Sequence, residues 1–222
     1  MSDGSSEDRD YFRREAMGAF AHEIRTPLTS LRMVVELAQR NGEGETLVLD
    51  RELASMLHQS LSDLQQLADD LQEQSRMERG RAMLAAGPCD LAAAIDTARE
   101  LLRPAIVLQC EAPRAVQGPW DTTRLVKAIV GFAESANRIG DGSCTVRLDA
   151  DEDPRAITLH FSNGSPGGNP RPVTADAGFA FFRARQYILA AGGAVDCARG
   201  DRGVSIAVSL PRNRPAEEDT QR

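Results

Sequence analysis

An imidazole, a carboxylate beside it, a hydroxyl one turn later and a proline fall within the eight residues His22–Thr29. They sit inside a helical pattern. Bulky apolar residues recur at Phe20, Ile24, Pro27/Leu28, Leu31, Val35 and Ala38, in alternating steps of about four and three. At about 100° per residue, Ile24 lies roughly 40° from Phe20, whereas His22 lies about 200° away on the opposite face. Thr26 projects about 40° from His22, so the two share the solvent face. Glu23 sits about 100° from His22, within flanking reach. An imidazole held in water next to a carboxylate is poised to act as a nucleophile. Pro27 supplies no backbone N–H and leaves the carbonyl of Glu23 without its helical partner, so the spacing predicts a kink beside the histidine.

The run Phe20-Ala21-His22-Glu23-Ile24-Arg25-Thr26-Pro27-Leu28-Thr29 resembles the H-box of two-component sensor histidine kinases. The resemblance implies that His22 accepts a phosphoryl group. It also implies that Glu23 orients His22 or takes its ring proton, and that Thr26 positions water for dephosphorylating a partner regulator. Arg25 is open to two roles, with the phosphoryl oxygens or with the partner. The competing reading is an ordinary surface histidine on a long helix.

Composition bounds the rest. A chain of 222 residues allows one large or two small domains, and 41% hydrophobic content with only 5% aromatics implies aliphatic cores. A net charge of −7 argues against a nucleic-acid surface and an anionic membrane patch. No apolar run approaches the roughly 20 residues needed to span a bilayer, and the N-terminus is polar. Cys89, Cys110, Cys144 and Cys197 lack metal-ligand spacing and read as reduced thiols, so a cytoplasmic protein is expected. No sensor segment is recognisable before the H-box, so input is expected through a partner.

Residues 1–10 read as a disordered polar tail. Residues 11–80 read as a hairpin: a helix from about Tyr11 to Arg40, a break at Asn41-Gly42-Glu43-Gly44, and a second helix from Asp50 as N-cap to about Arg79, stopped by Gly80. The second stripe is Leu53, Leu57, Leu61, Leu64, Leu67 and Leu71, with Ala68 alongside. One hairpin cannot bury so wide an apolar face alone, so two copies are expected to form a four-helix bundle as a homodimer. The alternative is that the stripe packs on the chain's own second domain. Residues 81–88 read as a connector. Residues 89–212 give helix (Asp90-capped, Leu91–Leu102), strand (Ile106–Cys110), helix (from Asp121 to about Asn137), and a hairpin of strands at Cys144–Leu148 and Ile157–Phe161. A Gly/Pro/Asn loop over about Ser162–Asp176 follows, then a helix over about Gly178–Ala191 and strands near Ala194–Ala198 and Val204–Leu210. Residues 213–222 read as a second disordered tail. The fold class is α+β: a helical hairpin followed by an α/β sandwich, one mixed sheet under one helix layer.

That order, after an H-box hairpin, resembles the ATP-binding domain of histidine kinases, a Bergerat/GHKL-type fold. Pro88-Cys89-Asp90-Leu91, Asp121-Thr122-Thr123-Arg124-Leu125, Gly192-Gly193 and Val208-Ser209-Leu210-Pro211 carry the likeness, which covers roughly residues 11–212. The family's nucleotide motifs are not kept. In its N-box, Asn-Leu-Leu-x-Asn-Ala, the second Asn holds magnesium, and here Gly131 and Ser135 take the two Asn positions. Asn137 lies about 200° round the helix from Ser135 and is no substitute. In its G1 box, Asp-x-Gly-x-Gly, the Asp reads adenine. Aligned on Ser162-Asn163-Gly164-Ser165-Pro166-Gly167, Ser162 replaces the Asp, Gly164 matches and Pro166 replaces the second Gly. The G2 box, Gly-x-Gly-Leu-Gly-Leu, becomes Ala177-Gly178-Phe179-Ala180-Phe181-Phe182, whose rings are expected to fill or cover the cavity that backbone N–H groups would open to phosphates. Gly131, Ser135, Ser162, Gly164 and Gly178 are therefore degenerate nucleotide positions. No cofactor is expected; ATP and Mg²⁺ enter only if the domain is a divergent working kinase.

Three functions remain in view. The first is a histidine phosphotransferase in which His22 exchanges a phosphoryl group with the aspartate of a response-regulator receiver domain. The second is an ATP-dependent histidine kinase with a divergent site. The third is a non-catalytic pseudokinase that binds a sensor kinase. Partners are thus a second copy and receiver domains, and in the third reading a sensor kinase, with no nucleic acid or membrane. The remaining polar features read blandly. His58 flanks the bundle, His160 is a sheet residue, Asp69-Asp70 and Asp149–Asp153 are solvated runs, and Trp120 anchors the core. Ser162–Pro172 reads as the remnant of an ATP lid or as a long hairpin connection.

Overall fold

The computed structural model describes residues 4–42, 46–80, 85–111, 116–140, 145–152, 155–169 and 171–213. They divide into two compact units, Met1–Ser75 and Arg76–Arg222.

The first unit is built from α1 (Gly4–Asn41) and α2 (Arg51–Glu78). The polar stretch expected to be a loose tail is helical from Gly4. Acidic side chains such as Glu7 in the first turn favour the positive end of a helix dipole, which the reading of composition alone overlooked. Asp50 caps α2, its Oδ1 accepting from the N–H of Leu53 at 2.8 Å. Gly80, with φ of 64°, ends the turn beyond it. The loop folds back so that Val48 N–H donates to the carbonyl of Ala38 at 3.0 Å. Near this end Val34, Ala38 and Leu53 form a buried cluster lined by Leu37, Met56 and Leu57.

The expected stripe on α1 resolves into two faces. Ala16, Ala19, Pro27, Val34 and Ala38 are buried within the chain. Leu28 and Val35, placed in the same stripe, are 50% and 47% exposed, together with Met17 at 46%. Met17, Leu28 and Val35 fall within about 20° of one line, and that line lies roughly 95° from the buried one. On α2, Leu53 is buried as expected but Leu61 is 48% exposed.

The second unit opens with a correction. Gly87–Asp90, whose first two residues fall in the expected connector, is strand β1, paired antiparallel with β3 (Gln117–Trp120), a strand the sequence does not suggest. Asp90 caps α3 (Leu91–Leu101) through Ala93 N–H at 3.1 Å. Strand β2 (Val107–Glu111) precedes β3, and α4 (Thr122–Ile139) follows it. Then come β4 (Thr145–Glu152), β5 (Ala156–Ser165), a 3-10 turn at Ala175–Ala177, α5 (Phe179–Ala190), β6 (Ala194–Arg199) and β7 (Arg202–Pro211). The sheet order is β2-β4-β5-β7-β6, with β2 and β4 parallel and every other pair antiparallel. This is the mixed sheet under one helix layer.

Helices cover one face. Ile157, Leu159, Phe161, Val204, Ile206, Val208 and Leu210 are buried on it, and the Phe161 ring stands 5.5 Å from Phe132 of α4. Trp120 is the anchor expected. It is 2% exposed, and its indole N–H donates to the carbonyl of Pro211 at 2.8 Å. Its ring passes so close to Gly118 that a Cβ there would stand 2.3 Å from it.

Asp121 ties several elements together. Its Oδ1 accepts from Arg124 N–H at 3.1 Å, capping α4. Its Oδ2 accepts from Ala85 N–H at 3.0 Å and from the Arg124 guanidinium at 2.9 Å. The Tyr187 hydroxyl of α5 donates to its carbonyl at 3.2 Å. Burial first, and then the Asp121 charge, push the Tyr187 phenol well above its ordinary value, so it stays protonated and donates.

Candidate functional site

Helix α1 runs unbroken through Pro27, whose ring is buried. His22, Arg25 and Thr26 are exposed, and Glu23 is half-buried. Arg25 and Thr26 stand three and four residues after His22, the spacing at which helical side chains meet. At about 100° per residue, Arg25 lies about 60° to one side of His22 and Glu23 about 100° to the other. The imidazole thus stands between a guanidinium and a carboxylate, on a third face of α1 roughly 125–140° from both apolar lines. One turn on, the Thr29 hydroxyl donates back to the carbonyl of Arg25 at 2.8 Å. His58 is exposed on α2, as a flanking residue would be.

The five degenerate positions are only partly brought together. Gly131 and Ser135 share one side of α4 and are both buried. The Ser135 hydroxyl, 1% exposed, donates to the carbonyl of Gly131 at 2.6 Å and so turns onto its own helix. A Cβ at Gly131 would meet the carbonyl oxygen of Ala180 in α5 at 2.8 Å, so this glycine permits two helices to touch through backbone. Gly178, with φ of 87°, precedes α5. Phe179, Phe181 and Phe182 are all buried, with Phe181 set edge-on to Phe132 at 5.7 Å and to Phe182 at 5.4 Å.

Ser162 is a correction. It belongs to β5, paired with Ser205, and strand alternation turns it to the face away from the helices. The inward residue is Asn163, 2% exposed, whose side chain lies 2.7 Å from where a Cβ on Gly140 would stand. Shifting the G1 alignment by one residue puts Asn163 at the Asp position and Gly167 at the last Gly, while Gly164 (φ of 70°) loses its matched role. The sequence carried the signal: Ile157, Leu159 and Phe161 set a period of two whose next inward member is residue 163.

The donors at these positions differ from those the family's nucleotide motifs carry. The Ser135 hydroxyl, a shorter neutral group than the family's carboxamide ligand, is turned toward the Gly131 carbonyl. Asn163 retains an acceptor without the charge that strengthens such a bond. The rings of Phe179, Phe181 and Phe182 are buried, and α4 and α5 approach through backbone at Gly131. Among the described residues, no group of three or more His, Cys, Asp or Glu side chains could hold a metal ion.

The segment after β5 is not a free loop. Arg171 N–H donates to the carbonyl of Arg199 at 3.0 Å as an isolated antiparallel bridge to β6. Arg171 pairs with Asp201 at 2.5 Å. Asp176 receives Arg199 through both carboxylate oxygens, at 2.6 and 3.0 Å. Burial opposes ionisation of Asp176, but Arg199 and Thr174 outweigh it and hold its pKa below the usual value.

Residues 12–80 match the family described as His Kinase A (phospho-acceptor) domain. The chain is 24% identical over 236 aligned positions to the signal transduction histidine-protein kinase BaeS of Escherichia coli (strain K12), covering 96% of this chain and 50% of BaeS. It is 31% identical over 146 residues to the sensor histidine kinase MtrB of Mycolicibacterium paratuberculosis, covering 63% of this chain and 26% of MtrB. The chain thus spans half or less of the curated relatives it matches. Among solved structures, Acinetobacter baumannii histidine kinase AdeS superposes with a TM-score of 0.68 at 17% identity, over 86% of this chain and 98% of AdeS. Histidine kinase ThkA in complex with the response regulator protein TrrA gives 0.57 at 15% identity, over 96% of this chain and 67% of ThkA. These two likenesses concern the fold. Among the described residues no helix is long and apolar enough to cross a membrane.

Proposed function

We propose that the chain, whose residues 12–80 match the His Kinase A (phospho-acceptor) domain, is a cytoplasmic histidine phosphotransferase of the two-component histidine kinase family working as a homodimer. His22 exchanges a phosphoryl group with the aspartate of a response-regulator receiver domain. An imidazole nitrogen attacks phosphorus in line, the P–N bond forms and the P–O bond to the aspartate breaks. The receiver leaves as a free carboxylate, and the ring proton passes to Glu23 or to water. Thr26 orients water for the hydrolytic branch. The receiver's acidic pocket carries its own Mg²⁺, so the hairpin supplies an exposed ring, charge on both flanks and a docking face.

The observation that carries this reading over an ATP-driven kinase is Ser135, whose buried hydroxyl is spent on Gly131 where the family holds a metal ligand. The ThkA–TrrA complex supports a receiver as the partner of a hairpin of this kind. The second apolar line, Met17, Leu28 and Val35, supports a second copy, since it is left uncovered within one chain.

Two incubations test the reading. With phosphorylated receiver, label is expected on wild type and absent from His22→Ala. With radiolabelled Mg-ATP alone, no label is expected. Label reaching His22 from ATP overturns the phosphotransferase reading in favour of the kinase.

A further inference from the structure

We propose that Arg171–Gly178 is a latch that seats the first turn of α5, and that it opens and closes as a unit separate from α4 and the sheet. The proposal does not depend on the phosphotransfer reading of His22. Composition gives no hint of a fixed segment here, since Gly164, Pro166, Gly167, Gly168 and Pro172 read as loop. The structure ties it at both ends. At the start, Arg171 N–H donates to the carbonyl of Arg199 at 3.0 Å, and the Arg171 guanidinium meets Asp201 at 2.5 Å. Five residues on, both carboxylate oxygens of Asp176 accept from Arg199, at 2.6 and 3.0 Å. The charges are reciprocal: the latch supplies Arg171 and Asp176, while the end of β6 and the turn after it supply Arg199 and Asp201. One alignment of the two segments satisfies both pairs. A guanidinium that grips both oxygens adds direction to charge, and Arg199, 16% exposed, loses less to water than an open surface pair does.

What the latch holds is the start of α5. Ala177 N–H donates to the carbonyl of Thr174 at 3.0 Å and Gly178 N–H to that of Ala175 at 3.1 Å. The Gly178 carbonyl then accepts from Phe181 N–H at 3.2 Å, so the 3-10 turn runs directly into the helix. Gly178 has no side chain with which to cap α5, and the first turn therefore relies on the chain before it. Val173, Ala177 and Phe179 are buried, and the Ala180 carbonyl is where α5 approaches Gly131 of α4. A short segment held by a few hydrogen bonds and two partly exposed ion pairs opens at lower free energy than the central strands it rests beside. Its opening releases the first turn of α5 and leaves the sheet paired.

Hydrogen exchange at single amides of the full chain, followed by NMR, tests this. Asp176→Arg is expected to speed exchange at Arg171, Ala177 and Gly178 by roughly fivefold or more, while Phe132, Leu159 and Ile206 keep their wild-type rates. Asp176→Arg/Arg199→Asp, which exchanges the two charges, should return the three amides to within about twofold of wild type. Asp176→Asn, which removes the charge without setting two guanidinium groups together, should move the same amides in the same direction by a smaller factor, and it decides the matter if the reversal does not fold. Rates at the three amides unchanged in the single variants overturn the latch. Speeding that the exchanged pair does not reverse overturns the role of Arg199 and the proposal with it. Equal speeding at Phe132, Leu159 and Ile206 shows that the segment opens only with the whole unit, and likewise overturns it.

Discussion

Restoring the family's N-box side chains should not restore nucleotide binding, and the reason is packing. In Gly131→Asn/Ser135→Asn, a Cβ at position 131 would stand 2.8 Å from the Ala180 carbonyl oxygen and 3.4 Å from the Ala184 Cβ. Overpacking of this kind costs about 1–3 kcal/mol, against a helix-propensity gain of about 0.3 kcal/mol for Gly to Asn. At position 135, 1% exposed, a larger amide adds a similar cost of roughly 1–3 kcal/mol. The double variant should therefore lose about 2–5 kcal/mol, or roughly 4–20 °C in Tm for a unit of this size. Trp120, the sole tryptophan and fully buried in the second unit, reports the transition by fluorescence. A site filled at a hundred times its Kd would stabilise by about 2.7 kcal/mol, or roughly 5–11 °C. Neither wild type nor variant should show that rise with Mg-ATP. A variant as stable as wild type, or such a rise in either protein, refutes the argument.

Asp121→Ala should destabilise the second unit by about 2–3 kcal/mol, combining a lost N-cap with a half-buried Arg124 left without its carboxylate. Asp121→Asn should recover the cap but not the ion pair, and chemical denaturation measures both. Leu28→Glu and Val35→Glu should each shift the chain toward monomer in sedimentation velocity, since burying the exposed half of either residue contributes roughly 0.7–1.5 kcal/mol per protomer; an unchanged sedimentation coefficient removes the second face from the dimer. Burial pushes the Cys197 thiol up to about 11 even though Arg199 pulls the other way. Its alkylation should accordingly rise about tenfold per pH unit between pH 8 and 10, and a plateau near pH 8, followed by peptide mass spectrometry, would contradict that.

The hairpin and the acceptor histidine were legible because their chemistry rides on one helical period. Periodicity could not separate the buried line of α1 from the exposed one, because both are apolar and only packing distinguishes them. Strands β1 and β3 were hidden for a different reason. Gly87-Pro88 and Gln117-Gly118-Pro119 have little strand propensity, and their pairing is imposed by the Trp120 ring lying over Gly118. The one-residue slip at Ser162 arose where motif matching was followed over strand alternation, although the alternation had been readable. The helical N-terminus was missed because a polar composition was read as disorder, while acids near a helix start stabilise it. Asp141 and Gly142 of the expected turn, the hairpin turn at Asp153-Pro154 and the tail beyond residue 213 lie outside the described residues.

The bridge between Arg171 and Arg199 has a bearing on how the protein behaves in acid. Strand β6 borders the sheet, and its outer rim is the kind of surface on which extended segments of other molecules add themselves. Arg171 and the carboxylates of Asp176 and Asp201 occupy part of that rim. Because the Asp176 pKa is lowered in the folded chain, its contribution is intact above the ordinary carboxylate range and fades as pH falls through the lowered value. Acidification therefore weakens the Asp176–Arg199 tie at that rim, while the backbone bond from Arg171 to Arg199 does not titrate.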